Sequence, residues 1–525
     1  SIPVSIDFND NYISQYEAEY LEEQGFLKMD FLGIRNLTTV SVCVDLINTH
    51  YPDVHLDKMN IPYDTPEIFG LISSGHTIGL FQIETAVMRR GIQTLKPSCF
   101  EDVVALIALN RPGPMAYLKN YALRRDGKEE IVYLSDDLKD ILAPTYGIIV
   151  YQEQINQIAS VMAGLSPAEA DNFRRAVSKK DKAVLLSLGK EFIEGSIKTG
   201  HSEAVSKAVF NDIMKFADYG FNRSHSVVYA VLACRMAWLK ARYPLEFYVA
   251  LLETSMSAND TKFIENISEM KALGIKILPP DINESEMSFS INEKSLLFPL
   301  NSISGINDLL AEAIIQERVN GPYKDFFDFV VRLFPSKITE TQVLKLINAG
   351  AFDNIYKSRA SLRNTAKAAL QYAQLVSDDD GQLNLGIAAI APPEIMEEND
   401  DPIENLDLEY ETIGVMLSSN ILDYKKDLLQ AKNIVPISDL AEGNEVNIVG
   451  IVKVKKVVKT KKGASMAFVR VFDQSGDIEV TIFPKLFAEK SALLEKNNII
   501  VIKGRYEVRN DESSFLAENI ENLEN

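Results

Sequence analysis

Cysteine is scarce in this 525-residue sequence: Cys43, Cys99 and Cys234 stand far apart, and no Cys-x-x-Cys occurs. That excludes a disulfide-stapled scaffold and points to reduced thiols in a cytoplasmic protein. The five histidines show no ligand spacing, so structural zinc is not expected. No apolar run approaches the roughly 20 residues that span a bilayer, and the opening Ser-Ile-Pro-Val-Ser has neither a basic segment nor an apolar core. Neither a membrane span nor a signal peptide is therefore read. Positive charge is in deficit as well. With 54 Lys and Arg against 74 Asp and Glu, the formal net charge is -20, which argues against a protein that coats nucleic acid over its whole surface but leaves room for local basic channels.

What is present is ordinary for folded protein, 46% hydrophobic and 24% charged residues, in a chain too long for one core. Roughly three to five domains are expected. Near the start, Gly25-Phe-Leu-Lys-Met-Asp-Phe-Leu-Gly33 reads with period two as a short strand. Lys28 and Asp30 then share a face. An ammonium beside a carboxylate is either a surface ion pair or part of a site that holds a magnesium ion and a phosphate together. A lone strand needs neighbours, so the chain reads as the C-terminal part of something longer.

Residues 36–60 predict a helix that runs into a Tyr51-Pro52 stop. Helices interrupted by Gly75, Gly79 and Gly91 follow, with two unusual signals. In Gly79-Leu-Phe-Gln-Ile-Glu84, polar Gln82 and Glu84 alternate with apolar side chains. In Asn110-Arg-Pro-Gly-Pro114 the prolines hold Arg111 at a set angle, suited to a phosphate or simply to the end of the preceding helix. Ile155, Ile158, Ala159 and Met162 form a helical stripe stopped by Gly164, and Ser166-Pro-Ala-Glu169 caps the next helix. That helix buries Phe173, Ala176 and Val177 and carries Arg174, Arg175, Lys179, Lys180 and Lys182 on its other side. Such a face is either solvated or a place to draw a polyanion. The loop Phe221-Asn-Arg-Ser-His-Ser226 crowds polar groups between apolar helices, which a structural network or a phosphate-bearing ligand would satisfy.

Further on, Ile303-Ser-Gly-Ile306 enters a helix over 309–318 and resembles a helix-hairpin-helix element, with Asn307 where a second glycine is common. Ser304, Gly305 and Asn307 would there meet DNA phosphates. Residues 344–353 read as a second such turn, and 377–411 as an acidic linker. Strands over 446–458, 466–472, 477–483 and 499–506 predict a small Greek-key barrel of the OB-fold type. Its basic turn, with Lys455, Lys456, Lys459, Lys461 and Lys462, and the ring of Phe468 suit single-stranded nucleic acid; edge protection of the barrel would explain the charge alone.

Together, Leu27-Lys-Met-Asp-Phe-Leu-Gly33, Gly79-Leu-Phe-Gln-Ile-Glu84, Asn110-Arg-Pro-Gly-Pro114, Tyr146-Gly-Ile-Ile-Val-Tyr-Gln-Glu153, Phe173-Arg-Arg-Ala176, Tyr219-Gly-Phe-Asn-Arg-Ser-His-Ser226 and Leu278-Pro-Pro-Asp-Ile-Asn283 follow the order found in one family. Over nearly its whole length the chain resembles the C family of bacterial replicative DNA polymerases, the polymerase III alpha type. The resemblance implies a multidomain, mostly helical chain. Its parts would be a short α/β palm remnant (1–35), fingers (36–285), a tandem helix-hairpin-helix and clamp-binding domain (286–376), an acidic linker with a degenerate clamp motif and a short α/β segment (377–440), and an OB-fold (441–525).

It also implies roles. Asp30 matches the third of three metal-binding aspartates, with Mg²⁺ as cofactor, and Lys28 matches a lysine near the triphosphate. Arg111, Arg174, Arg175, Asn222, Arg223, Ser224 and His225 match positions expected to line the nucleotide pocket. Two Mg²⁺ ions would activate the primer hydroxyl and stabilise pyrophosphate, while basic side chains neutralise the triphosphate. The implied partners are primer–template DNA, single-stranded template, dNTPs, a sliding clamp and other replisome subunits, in the cytoplasm at the nucleoid. The family's other two aspartates lie in an Asp-x-Asp upstream of the position of Asp30, so these 525 residues alone are expected not to polymerise. Gln382-Leu383-Asn-Leu385 is followed by Gly386 where the clamp motif has an aromatic anchor, so clamp binding is expected to be weak. The competing reading is a non-catalytic nucleic-acid-binding scaffold derived from such a polymerase.

Overall fold

A computed structural model describes residues 2–522 except 9, 28, 30–32, 112, 179–181, 217–219, 256–260, 378–390, 419–432, 441–442, 461–462, 474–475, 497 and 510–511. Its first large core forms around helix Phe100–Leu109, whose sequence FEDVVALIAL is apolar nearly all round and is buried without a break from Asp102 onward. Helix Arg223–Arg242 lies along it, Ala86–Leu95 packs on it, and Pro244–Ser255 covers Arg35–His50. Gly91, expected to interrupt a helix, instead sits inside Ala86–Leu95. It permits a close approach there, since a Cβ would lie 2.6 Å from Asn110 Oδ1.

The strand expected over 25–33 is not seen in its described residues. Gly25 turns the chain at φ 79°, and Leu27 and Met29 are exposed. The strands near the start are Val4–Ile6 and Tyr12–Ser14, an antiparallel ribbon exposed on most of its surface. Period two describes a strand only where a neighbour takes up its backbone groups, and among the described residues 25–33 have none.

Past Ala272, Lys276–Leu278 pairs in parallel with Ser295–Leu297, which pairs antiparallel with Ser290–Asn292. The Leu278-Pro-Pro-Asp-Ile-Asn283 stretch acts as a brace. Asp281 accepts from Asn283 N, Glu284 N and Asn354 Nδ2 at 2.7, 3.0 and 2.8 Å, and Asn283 brackets the backbone of Tyr323 on both sides. Two hairpin-type turns follow. The first ends in Asn307, which caps helix Asp308–Glu317; the second joins Glu340–Asn348 to Arg359–Val376 through Gly350 at φ 87°.

Much of the expected linker is built in. Residues 394–401 run along helix Arg359–Val376, with Met396 N on Thr365 Oγ1 and Glu398 N on Ser361 Oγ, and Pro402–Ile413 is a helix capped by Asp401. The last part is a closed five-stranded barrel of Glu445–Lys459, Ser465–Asp473, Gly476–Ile482, Ile499–Arg509 and Glu512–Asn522. The fifth strand, absent from the sequence reading, pairs antiparallel with Ile499–Arg509 and closes in parallel on Gly476–Ile482. Among the described residues no helix is long and apolar enough to cross a membrane.

Candidate nucleotide and nucleic-acid interface

The loop at 220–226 is held by the segment that precedes helix Gln152–Ala163. Phe221 N donates to Val150 O at 3.1 Å, Gln152 N donates to Phe221 O at 2.9 Å, and Gln152 Nε2 donates to Gly220 O at 3.1 Å. Asn222 then starts helix Arg223–Arg242 as its cap, its Oδ1 accepting from His225 N at 2.9 Å. The backbone N–H of Arg223 donates to both oxygens of Glu153 at 3.1 Å. A carboxylate thus occupies the positive end of the helix, where anions are favoured.

Three of the expected arginines converge on this loop. Arg111 donates from Nε to Ala108 O at 3.1 Å and lies with its guanidinium carbon 4.4 Å from the centre of the Phe221 ring. The turn therefore satisfies the end of helix Phe100–Leu109 and aims a cation at the loop at once. Burial draws the Arg111 pKa below its ordinary value. Arg174 donates to Gln152 Oε1 at 3.1 Å and to Asp171 at 2.8 Å. Arg223 reaches Glu101 Oε1 at 2.8 Å and sits 5.8 Å from the Tyr151 ring. Partial burial opposes its charge, but the Glu101 bond and attraction outweigh it and raise the pKa. Arg175 pairs with Asp171 at 2.8 Å and is two-thirds exposed. Ser224 and His225 are exposed, so His225 is not a core histidine; its ring lies 4.0 Å from that of Tyr229 and 5.4 Å from that of Phe221. Ser226 Oγ is buried and has no hydrogen-bond partner among the described residues.

Sequence reasoning missed the acids and the amide that organise these cations: Glu101, Glu153, Asp171 and Gln152. Gln152 and Glu153 stood in the Tyr146–Glu153 stretch with no role attached. The side chain that reaches back to the helix start is that of Gln154, which accepts from Val150 N and Tyr151 N, whereas Gln152 and Glu153 bond residues about 70 positions away that only the fold brings near. Exposed pairs such as Arg223 with Glu101 are worth about 0–1 kcal/mol. A polyphosphate could displace them at little cost.

Lys28 and Asp30, read as the phosphate and metal ligands, lie outside the described residues, as do Lys179 and Lys180 of the basic helix and the clamp motif Gln382, Leu383 and Leu385. Among the described residues no group of three or more His, Cys, Asp or Glu side chains is placed to hold a metal ion.

The DNA-binding candidates fall in two places. In the first hairpin, Ser304 N is already bonded to Thr412 O at 2.9 Å, and Asn307 Oδ1 accepts from Leu310 N at 2.9 Å as a helix cap. On the barrel, Lys456 stands directly opposite Phe468 across an antiparallel pair, and both side chains lie on the outer face, with Lys459 exposed further along the same strand. Lys455 is tied to Glu495 at 2.6 Å, and Lys453 to Asp407. Part of the expected basic turn is therefore paired with acids, while Lys456 and Phe468 keep the charge and ring that a single strand needs. Lys461 and Lys462 lie outside the described residues.

Residues 36–200 match the family model described as bacterial DNA polymerase III alpha subunit finger domain, 274–362 a helix-hairpin-helix motif, and 446–523 an OB-fold nucleic acid binding domain. The whole chain is 38% identical to the DNA polymerase III subunit alpha of Bacillus subtilis, covering 47% of that protein. Over 96% and 97% of its length it is 36% identical to the proteins of the same name from Aquifex aeolicus and Staphylococcus aureus, covering 42% and 48% of them. The chain thus spans about half the length of the relatives it matches.

Proposed function

We propose that this chain, which belongs with the bacterial DNA polymerase III alpha subunits, supplies the part of a replicative DNA polymerase that receives the incoming nucleotide and holds DNA. One observation carries the reading: Arg111, Arg174 and Arg223 meet around Phe221 and the first turn of helix Arg223–Arg242. That turn offers guanidinium groups for phosphate, with the exposed His225 ring and the half-buried Phe221 ring beside them. Arg223 exchanges Glu101 for a phosphate oxygen, while Gln152 keeps the loop seated on Val150 and Tyr151.

Lys28 and Asp30 are assigned to the same chemistry. The hard oxygen donors of Asp30 suit Mg²⁺, which when bound would polarise the reacting phosphate. Lys28 would neutralise the triphosphate. The hairpins, through Gly305 and Asn307, hold duplex backbone without reading sequence, and the barrel, through Lys456, Lys459 and Phe468, holds single-stranded template. The 382–385 motif would give weak contact with a sliding clamp. A polypeptide limited to these residues carries one of the family's three catalytic carboxylates and is proposed to bind but not to extend a primer.

Titration with a fluorescent dNTP and Mg²⁺ tests this reading. Arg111→Ala and Arg223→Ala should each weaken binding about tenfold, the loss of one charge-assisted bond. Wild-type affinity in both variants, or primer extension by the 525-residue chain alone, contradicts the respective claim.

A further inference from the structure

Helix Pro402–Ile413 has two working faces. Toward the barrel, the Tyr410 ring stacks on Phe472 at 4.5 Å and 24°, within an apolar cluster of Leu406, Met416, Ile451 and Phe472. Asp407 pairs with Lys453, whose ammonium also lies 4.8 Å and 4.6 Å from the centres of those two rings, and Glu411 pairs with Lys496 at 2.8 Å. Toward the hairpins, the fully buried carboxylate of Glu409 accepts from Arg359 at 2.8 Å and from Ser418 N at 2.9 Å. Arg359 also donates to Asp353 of the second hairpin at 2.6 and 2.9 Å. One residue before the helix end, Thr412 O accepts from Ser304 N of the first hairpin at 2.9 Å. Residues three and four apart share a face, which is why 406, 407, 410 and 411 serve the barrel while 409 and 412 serve the hairpins.

We infer that Pro402–Ile413 is a strut that fixes both hairpins and the barrel in one frame, presenting a single surface to a DNA duplex continued by a single strand. The inference rests on the reading that the hairpins hold duplex and the barrel holds single strand. It adds that the two bind as a unit. Modules in a fixed frame that fits the DNA deliver the second contact at high effective concentration, whereas a loose tether lowers it. The physical difficulty for such a strut is cost, because Glu409 and Arg359 are buried charges. Mutual pairing and the Ser418 and Asp353 bonds satisfy them, so the hairpin face holds firm and the barrel face, with its partly exposed Lys496–Glu411 pair, is the one that can be opened by mutation.

The test uses the 525-residue protein and fluorescence anisotropy with three probes: a blunt duplex, a single strand, and that duplex carrying the strand as an extension. Wild type should bind the extended duplex about tenfold or more tighter than the blunt one. Asp407→Lys, which sets a cation against Lys453 and Lys496, should lose most of that gain while binding the two simple probes within about twofold of wild type. Adding Lys453→Asp should restore it, which mere loss of fold would not allow. Asp407→Lys with Tyr410→Ala removes the ring stack as well. If the gain survives in both opened variants, or the charge swap fails to restore it, the strut is refuted and the DNA-binding reading stands. If neither simple probe binds wild type, both fall together.

Discussion

Lys240 carries an ammonium into the apolar interior of the helical region and is fully buried there. It donates to Ile78 O at 2.7 Å and pairs with Glu269, whose other bonds come from Tyr248 OH at 2.6 Å and Ile78 N at 3.2 Å. The group ties Ile78, just before the Gly79–Glu84 stretch, to three helices, those that carry Lys240, Tyr248 and Glu269. Burial pushes the Lys240 pKa down to about 8 against the partial support of Glu269. The sign follows from proton counting. Between pH 8 and the ordinary lysine range near 10.5 the unfolded chain holds a proton that the folded chain has released, so Lys240 makes stability rise with pH in that window. Thermal melts of wild type and Lys240→Met should show the wild-type advantage growing from pH 8 to about 10. An advantage that shrinks over the same range would mean that the pair, not burial, sets the pKa.

At the scale of elements, helix Arg223–Arg242 is the one on which the proposed site rests, and its start depends on Asn222. Asn222→Ala should cost about 1 kcal/mol of stability through loss of the cap. Asn222→Asp keeps an acceptor for His225 N and so should keep stability, yet it adds a negative charge beside the arginines and should weaken dNTP binding. Denaturation and nucleotide titration of the two variants separate the effects, and parallel losses in both measurements would contradict the split. The elements differ in how far the sequence announces them. Ser166 and Glu169 bond each other's backbone as a capping box at 3.4 and 2.8 Å, as their spacing predicts, because such a cap is local. The barrel strand Glu512–Asn522 was missed because among its described side chains only Phe515, Ala517 and Ile520 are buried, and acidic or amide residues at 518, 519 and 521 break the apolar run. The strand read at 25–33 is not seen in its described residues for the opposite reason, since its alternation is strong and the described residues offer it no neighbour. Of the candidate site, Arg111, Arg174, Arg223 and His225 were named through ordered motifs, and the structure brings them near one loop. The acids that hold those arginines were not, since Glu101 lies 122 positions from Arg223 and only the fold joins them.

For the whole molecule, a net charge of -20 conceals a division of labour. Acids are spent internally, as Glu409 and Asp407 are on the strut and Glu101, Glu153 and Asp171 are on the arginines. Exposed cations remain where DNA would run, notably Lys456 and Lys459 on the barrel. Binding of single-stranded DNA should therefore fall as salt rises, with a log–log slope of about -0.7 per phosphate neutralised, and Lys456→Ala should reduce the slope by about one such unit. A slope unchanged by that substitution would move the single-strand path off this face. The claim on which the rest depends is that the fingers receive the triphosphate at the loop of Phe221 to His225. Amide hydrogen exchange of the 525-residue protein, with and without a dNTP and Mg²⁺, addresses it most directly. The account predicts added protection concentrated at residues 150–153 and 220–226. Nucleotide binding with protection elsewhere and none in these two segments would contradict it.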